Sequence, residues 1–198
     1  PNGGQDALGS KWGAGDIMYR DLNGDGKISS GATLNDPGDR KIIGNNSPRF
    51  KFGLDLNASW KGFDARLFFQ GVAKRDAWLG DNMFWGATGD IWQSACFTPH
   101  LDFFREGDDF WSPNTNAYFP RPLSVNYAKN QQAQTRYLQN AAYVRLKNLS
   151  IGYTIPARIT SKMGISNLRI FFSGENLFTL TGLPQGFDPE TIGTGYGS

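Results

Sequence analysis

The feature that most constrains this fold is a strict alternation of apolar and other side chains. In residues 50–60 every even-numbered residue is apolar and every odd-numbered one is polar or glycine. Successive strand side chains point to opposite faces, so this period of two predicts a long β-strand with one apolar face. After a Lys61-Gly62 turn, 63–70 alternates again with Phe68 as the exception, which predicts a β-hairpin over 49–73.

The length of these runs fits a membrane-spanning barrel but does not exclude a soluble sandwich. Strands of soluble proteins usually have about 5–6 residues, whereas transmembrane strands need about 9–11. Trp60 and Phe63 flank the turn, where an aromatic girdle would lie in a membrane barrel. A soluble sandwich with one solvated face fits the alternation equally well. Only four to six strands are found, fewer than the roughly eight of the smallest membrane barrels, which indicates part of a larger barrel.

Two further strands are predicted nearer the C-terminus. Within 143–154 the apolar parity flips near Asn148, which predicts a bulge or a change of environment along that strand. Pro156 ends the strand, 157–164 has the length of one helical turn, and 168–173 alternates once more. The stretch 131–142 fits either a short helix or the polar start of a strand.

The remaining segments are predicted to be loops. The chain has 25 glycines and 14% aromatic residues, a pairing typical of β structure because each glycine in a helix costs about 1 kcal/mol. Residues 16–48 are rich in Asp, Asn and Gly, and 182–198 are rich in Gly. Residues 74–130 lose all periodicity and are too long for an ordinary connection, which indicates a functional loop or a small inserted element.

Composition excludes several classes of function. A net charge of +2 gives no electrostatic footprint for nucleic acid, and one cysteine with one histidine excludes a disulfide framework and a Cys- or His-based metal site. Cys96 and His100 are expected to be a buried thiol and an incidental histidine. The adjacent Asp108 and Asp109 show no facing geometry for acid–base work. No catalytic motif and no apolar run of about 18 residues occurs, so we predict neither an enzyme nor a membrane helix.

Residues 21–28 match the first eight positions of an EF-hand-type calcium loop. Alternate oxygen ligands converge in a tight turn, and Gly26 permits the sharp bend. Ala32 stands at position 12 in place of the bidentate Glu, so Asp36 or Asp39 would have to complete the site. The alternative is a plain turn. The predicted calcium ligands are Asp21, Asn23, Asp25, Lys27 through its carbonyl, and Asp39.

Tryptophans in the irregular stretch 74–130 are the candidate substrate contacts. Their large rings can stack on sugar rings or other flat apolar faces, and the alternative is that they pack a long loop onto its scaffold. The candidates are Trp78, Trp85, Trp92 and Trp111.

Several motifs, in this order, resemble the C-terminal part of the SusC/RagA family of TonB-dependent outer-membrane transporters. The resemblance covers nearly the whole chain, 1–198, and is loosest over 74–130. It is carried by the segments 15–28, 39–50, 60–71, 143–153 and 173–179, followed by Gly186-Phe187-Asp188-Pro189-Glu190.

The resemblance implies a fold and a role. The fold would be all-β, with antiparallel strands from a barrel of about 22 strands and long extracellular loops, including 74–130. The role would be import of glycans or peptides across the outer membrane, with a SusD-like lipoprotein as lid and a TonB complex acting on an N-terminal plug. That plug lies outside these residues, and 182–198 would precede a missing last strand.

In such a barrel, one face of the hairpin would contact lipid and the other would face the lumen. Predicted to face lipid are Phe50, Phe52, Leu54, Leu56, Phe63, Leu67 and Phe69. Predicted to face the lumen or plug are Lys51, Asp55, Asn57, Asp64, Arg66 and Gln70. One rival hypothesis is a soluble, calcium-stabilised β-sandwich that binds carbohydrate. The other is a glycan hydrolase, which the sequence favours least because it offers no convincing pair of catalytic carboxylates.

Overall fold

A computed structural model describes residues 3–86, 96–108 and 110–192 of the chain. The described residues divide into two compact units. The loop unit consists of 3–43 and 79–137, and the sheet unit consists of 44–78 and 138–192. Each unit is therefore assembled from segments that are far apart in sequence.

The structure confirms an antiparallel β fold. A four-stranded sheet in the order β1-β2-β5-β6 and a two-stranded β3-β4 ladder make up the described strands. Their bounds are β1 Arg49–Trp60, β2 Phe63–Lys74, β3 Asp76–Ala77, β4 Gln139–Asn140, β5 Tyr143–Ile155 and β6 Leu168–Thr181. The α-helices are α1 Asn82–Trp85 and α2 Ala157–Thr160, and the 3-10 helices are Asp6–Leu8, Thr98–Leu101, Tyr127–Lys129 and Ser161–Met163.

The register of the hairpin collects the apolar side chains on one face. Leu54 lies opposite Phe69, and Leu56 lies opposite Leu67, which in turn lies opposite Leu149 of β5. Residues directly opposite each other on neighbouring strands share a face, so the period of two in sequence becomes a continuous apolar surface. Leu54 and Leu56 are 50% and 46% exposed in this chain. Large exposed apolar surfaces mark contact with a membrane or another protein.

The predicted parity flip is a β-bulge at Lys147. Phe68 and Phe69 of β2 are consecutive, yet they pair with Asn148 and Leu146 of β5, which leaves Lys147 as the extra residue. The pairing of β5 with β6 shifts at the same place. Because of the bulge, Leu146 and Leu149 reach the same apolar face although three positions separate them.

The connections of the sheet are unequal at its two ends. At one end β1 and β2 are joined by the Lys61-Gly62 turn, and β5 and β6 by residues 156–167, which include α2 as the predicted helical turn. At the other end the chain leaves β2 for a connection of 75–142 before β5 begins. The sheet is open, and β1 and β6 are its edges in the described residues.

No helix in residues 3–86, 96–108 and 110–192 is both long enough and apolar enough to cross a membrane.

The loop unit has an aromatic core of its own. Phe84 and Trp85 of α1 pack edge-to-face at 5.3 Å between ring centroids, and Trp85 contacts Tyr137 at 4.8 Å. Phe119 lies 5.6 Å from Phe84. The irregular stretch 74–130 thus contains short elements and a packed core, although its sequence shows no periodicity. In 131–142 the structure has β4 and no helix.

Candidate functional site

The Asp/Asn/Gly-rich segment folds as a loop in which carboxylates accept backbone hydrogen bonds. Asp21 Oδ1 accepts from Gly24 N at 2.6 Å, and its Oδ2 accepts from Gly26 N at 2.8 Å. Asp39 Oδ1 accepts from Leu22 N and its Oδ2 from Ser29 N, both at 2.7 Å. These bonds from Ser29 and then Leu22 hold the pKa of the Asp39 carboxyl below its usual range. Of Asp36 and Asp39, the two candidates to complete the calcium site, it is Asp39 that is bonded to both ends of the loop, through Leu22 and Ser29.

Calcium binding by this loop stays a prediction. Asn23 and Asp25 also accept local backbone bonds, from Asp25 N at 3.0 Å and Lys27 N at 2.8 Å. Among the described residues, no group of three or more His, Cys, Asp or Glu side chains is arranged to hold a metal ion. The predicted ligands Asp21, Asp25 and Asp39 are therefore not gathered as one three-carboxylate site, and a calcium ion would depend on amide and backbone oxygens, which predicts weak binding.

Removal of calcium from the intact protein tests the loop. If the loop binds calcium, EDTA lowers the resistance of segment 21–39 to limited proteolysis, and added calcium restores it. The expected stabilisation is about 2.7 kcal/mol at a calcium concentration 100-fold above Kd. Asp25→Asn should abolish the EDTA effect, whereas Asp36→Asn should preserve it. Identical cleavage with EDTA and with calcium would show that the loop is a plain turn.

The candidate tryptophans occupy different environments. Trp85 is 3% exposed, and its Nε1 donates to the Leu79 carbonyl, so its ring belongs to the core of the loop unit. Trp111 is 40% exposed, and the Arg105 guanidinium lies 5.3 Å from its ring centroid. Trp78 is partly buried in the sheet unit. Trp92 lies outside the described residues. Trp111 is therefore the described candidate whose ring is best placed for contact with a ligand.

Cys96 and His100 show no catalytic arrangement. His100 Nδ1 accepts from Phe97 N at 2.9 Å, and its Nε2 lies 3.1 Å from the Phe84 carbonyl, to which it donates. Both ring nitrogens are thus bonded to the backbone. Cys96 is exposed, so the expectation of a buried thiol is wrong.

The loop unit contains a cavity of about 850 Å³ that the sequence did not reveal. Its lining combines apolar side chains such as Ile17 and Phe104 with tyrosines and with cationic side chains. The volume lies within the range of about 300–1,000 Å³ that is common for ligand sites. The cationic lining residues are Arg20, Arg40, Lys41 and Arg136.

A buried ionic cluster beside this cavity joins the two segments of the loop unit. Lys129 Nζ lies 2.8 Å from Asp16 Oδ2, and Arg121 reaches both carboxylate oxygens, at 2.9 and 2.7 Å. Asn130 Nδ2 donates to Asp16 Oδ1 at 3.0 Å. The Asp16 and Lys129 side chains are 3% and 1% exposed. Burial alone would raise the pKa of Asp16, but the bonds from Arg121, Lys129 and Asn130 outweigh burial and lower the pKa well below its usual range.

In the sheet unit, the segment 186–190 is tied to β5. Arg145 Nη1 lies 2.7 Å from Glu190 Oε2, and its Nη2 lies 2.8 Å from Asp188 Oδ1. Lys147 Nζ, at the bulge, lies 3.0 Å from Glu190 Oε2. Burial would raise the pKa of Asp188, but the bond from Arg145 outweighs it and lowers that pKa. One role of the bulge is therefore to place a second cation over Glu190.

Glu190→Gln is expected to loosen this segment. The change removes the negative charge that Arg145 and Lys147 share, and charge-assisted hydrogen bonds of this kind contribute about 1.5–3 kcal/mol. We expect faster backbone hydrogen exchange in residues 182–192 of the intact protein. Glu175→Gln, on exposed β6, is the matched control and should leave exchange unchanged. Equal exchange in the two variants would contradict a restraining role for Glu190.

Polar side chains of the sheet pair on the face opposite the apolar one. Arg66 Nη2 lies 2.6 Å from Asp55 Oδ2 across β1 and β2, and Arg169 of β6 forms an ion pair with Asp64 of β2. These four residues are exposed or half-buried, so the pairs orient side chains more than they stabilise the fold.

Comparisons with known proteins give receptors of one kind. No family model matches. The chain is 35% identical over 177 residues to TonB-dependent receptor P3 of Formosa agariphila, which aligns 89% of this chain with 15% of that receptor. TonB-dependent receptors P26 and P39 of the same organism are 26% and 27% identical and cover 82% and 89% of the chain. The chain thus spans about 15% of the length of these relatives.

Solved structures agree with the fold. The RagAB peptide transporter matches with a TM-score of 0.61 and 24% identity over 89% of this chain and 18% of the transporter chain. The RagAB peptide importer in its open-open state matches with a TM-score of 0.57 and 26% identity over 87% of this chain.

The open antiparallel sheet and these matches define the class, a segment of a large β-barrel, which confirms the predicted fold. The chain is a segment of a SusC/RagA-like TonB-dependent receptor, as its motifs indicate. The comparisons therefore favour the barrel over the soluble sandwich. The relatives are receptors and transporters, which is consistent with the prediction that the chain is not an enzyme.

Proposed function

We propose that this chain forms part of an outer-membrane receptor that imports oligomeric nutrients by TonB-dependent transport. The observation that carries the proposal is the four-stranded sheet, whose long strands present a continuous apolar face on one side and ion pairs on the other. This is the arrangement that a barrel wall needs between lipid and a polar lumen. The names of the relatives support the same role.

The unequal lengths of the connections support one orientation of the strands across the membrane. Transmembrane barrels have short periplasmic turns and longer extracellular loops. The Lys61-Gly62 end is therefore periplasmic, and the 75–142 connection is extracellular. Trp60 and Phe63 lie beside the short turn and are 68% and 53% exposed, as expected of an aromatic girdle at the membrane interface.

The partners follow from the same assignment. The solved neighbours are RagAB assemblies described as peptide transporters, which supports a surface lipoprotein of the SusD type as a partner on the extracellular side. Energy would reach the barrel through a plug and the TonB complex. The cargo would be an oligosaccharide or a peptide, and Trp111, with its exposed ring beside Arg105, would contact it.

Uptake by cells tests this proposal. Cells that lack the receptor gene are complemented with the wild-type gene and given fluorescently labelled oligosaccharides and peptides. Uptake of at least one probe should require the receptor and should stop when a protonophore removes the proton-motive force. Energy-dependent uptake of every probe without the receptor would overturn the proposal.

Trp111→Ala should weaken uptake in the same cells. Loss of ring stacking predicts an affinity about three- to tenfold lower. Leu34→Ala, in the same unit and 99% exposed, is the control and should behave as wild type. Equal uptake by the two variants would show that Trp111 packs the loop and does not contact cargo.

A further inference from the structure

The cavity of the loop unit carries positive charge that the described protein does not neutralise. Arg20, Arg40 and Lys41 line it, are exposed, and form no ion pair with any described residue. Guanidinium and ammonium groups that converge on one cavity without carboxylate partners favour an anionic ligand. The charge of this surface therefore points to the chemistry of what it binds.

Arg136 is the fixed member of this set. Its Nη2 donates to the Ala117 carbonyl at 2.8 Å, and its Nη2 and Nε donate to the Tyr118 carbonyl at 3.2 and 3.3 Å. The guanidinium also lies 5.7 Å from the ring centroid of Tyr137, which is fully buried. Carbonyl groups and aromatic rings hold a guanidinium in place but leave its charge uncompensated. Arg136 is thus oriented before a ligand arrives.

The carboxylates at the cavity do not cancel these charges. Asp16 is already shared by Arg121 and Lys129, so that cluster is itself cationic. Asp39 accepts two backbone N–H groups. Among the described lining residues, Asp39 is therefore the one carboxylate without a cationic partner. Four cationic side chains line the same cavity, so positive charge is in excess.

We propose that this cavity binds an acidic oligosaccharide whose carboxylate or sulfate groups contact Arg136 and the three cations without ion-pair partners. The lining residues belong to no strand, so they lack the free strand edge with which receptors commonly pair a peptide backbone. The guanidinium and ammonium groups of the lining suit the acidic groups of such a sugar. The inference rests on the proposed import function and narrows its cargo.

Binding to the full-length receptor in detergent tests the inference. The probes are fluorescein-labelled oligogalacturonate, a sulfated galactan oligosaccharide and a neutral galactan oligosaccharide of equal length, with oligoglutamate as the acidic peptide. We expect an acidic oligosaccharide to bind at least about tenfold more tightly than the neutral one, with affinity falling as salt rises. Whether the carboxylated or the sulfated probe binds identifies the anionic group.

Matched charge variants locate the site. The triple variant Arg20→Gln, Arg40→Gln, Lys41→Gln should weaken acidic binding by about tenfold or more. The variant Arg158→Gln, Lys162→Gln, Lys61→Gln removes the same charge from the sheet unit and should bind as wild type.

Three results would overturn the inference. These are equal binding of acidic and neutral oligosaccharides, binding of oligoglutamate alone, and an unchanged Kd in the cavity variant. None of them affects the import proposal, which depends on receptor-dependent, energy-dependent uptake of any probe. If uptake no longer required the receptor while acidic oligosaccharides still bound selectively to the cavity, the import proposal would be overturned and the binding site would stand.

Discussion

Asp16→Asn is expected to destabilise the loop unit by about 3–5 kcal/mol. The Lys129 ammonium is 1% exposed, and the Asp16 carboxylate is its ion-pair partner at 2.8 Å. Asparagine is similar in shape but carries no charge, so Lys129 would remain buried and charged without a counter-ion, beside the Ser10 and Lys11 carbonyls and the Trp12 ring. A buried charge without its counter-ion carries the full penalty of desolvation.

Hydrogen exchange in the full-length receptor measures this effect. The amides of Ile17 and Tyr19 are good reporters, since they donate to Asn130 Oδ1 and Gln5 Oε1 at 2.9 and 2.8 Å inside the loop unit. Their protection should fall in Asp16→Asn and persist in the exposed control Asp36→Asn.

A second variant separates the charge effect from packing. Replacing both partners, Asp16→Leu with Lys129→Met, removes the buried charge together with its counter-ion. It should recover part of the lost protection. Protection in Asp16→Asn equal to that of the control would show that the cluster does not stabilise the unit.

The Asp16 cluster also predicts how the stability of the loop unit changes with pH. The folded pKa of Asp16 lies below the ordinary value of 3.8. The stabilisation from its ionised form is therefore complete above about pH 4–5 and is lost as the pH falls from there toward the folded pKa. The loop unit of the wild type should thus lose protection under strong acid, whereas Asp16→Asn should show a weaker loss over that range.

The strands were predictable because their signal is local. Alternation in 50–60 and 63–70 predicts a pleated strand pair with one apolar face, and the pairing of β1 with β2 has both properties. The parity flip at Asn148 is local too, since a bulge must shift every later side chain by one position.

The candidate site was not predictable because its contacts are distant in sequence. Asp16 and Lys129 are separated by 113 positions, and no period relates them. The residues that line the cavity belong to no described strand, so no periodicity in the sequence predicts which cationic side chains come together there. The exposed Cys96 shows the same limit, because outside regular elements residue type alone does not decide burial.

Leu54→Lys is expected to destabilise the folded, inserted barrel by about 2–4 kcal/mol if the apolar face meets lipid near mid-bilayer. Leu54 lies in the middle of β1, opposite Phe69, on the face that the register makes continuously apolar. A lysine there must keep its ammonium in hydrocarbon or distort the bilayer around it. In a soluble protein the same exposed position, 50% accessible, would accept lysine at little cost.

Heat-modifiable migration of the full-length receptor in gels measures the fraction of folded barrel. Asn57→Lys is the matched control, since Asn57 lies on the same strand and faces the polar side beside Arg66. Leu54→Ala adds a second control, because it removes the same packing without adding charge. Folded barrel should fall in Leu54→Lys alone. Wild-type folding of that variant would mean that this face of the sheet does not contact lipid, and the assignment of the two faces would have to be reversed.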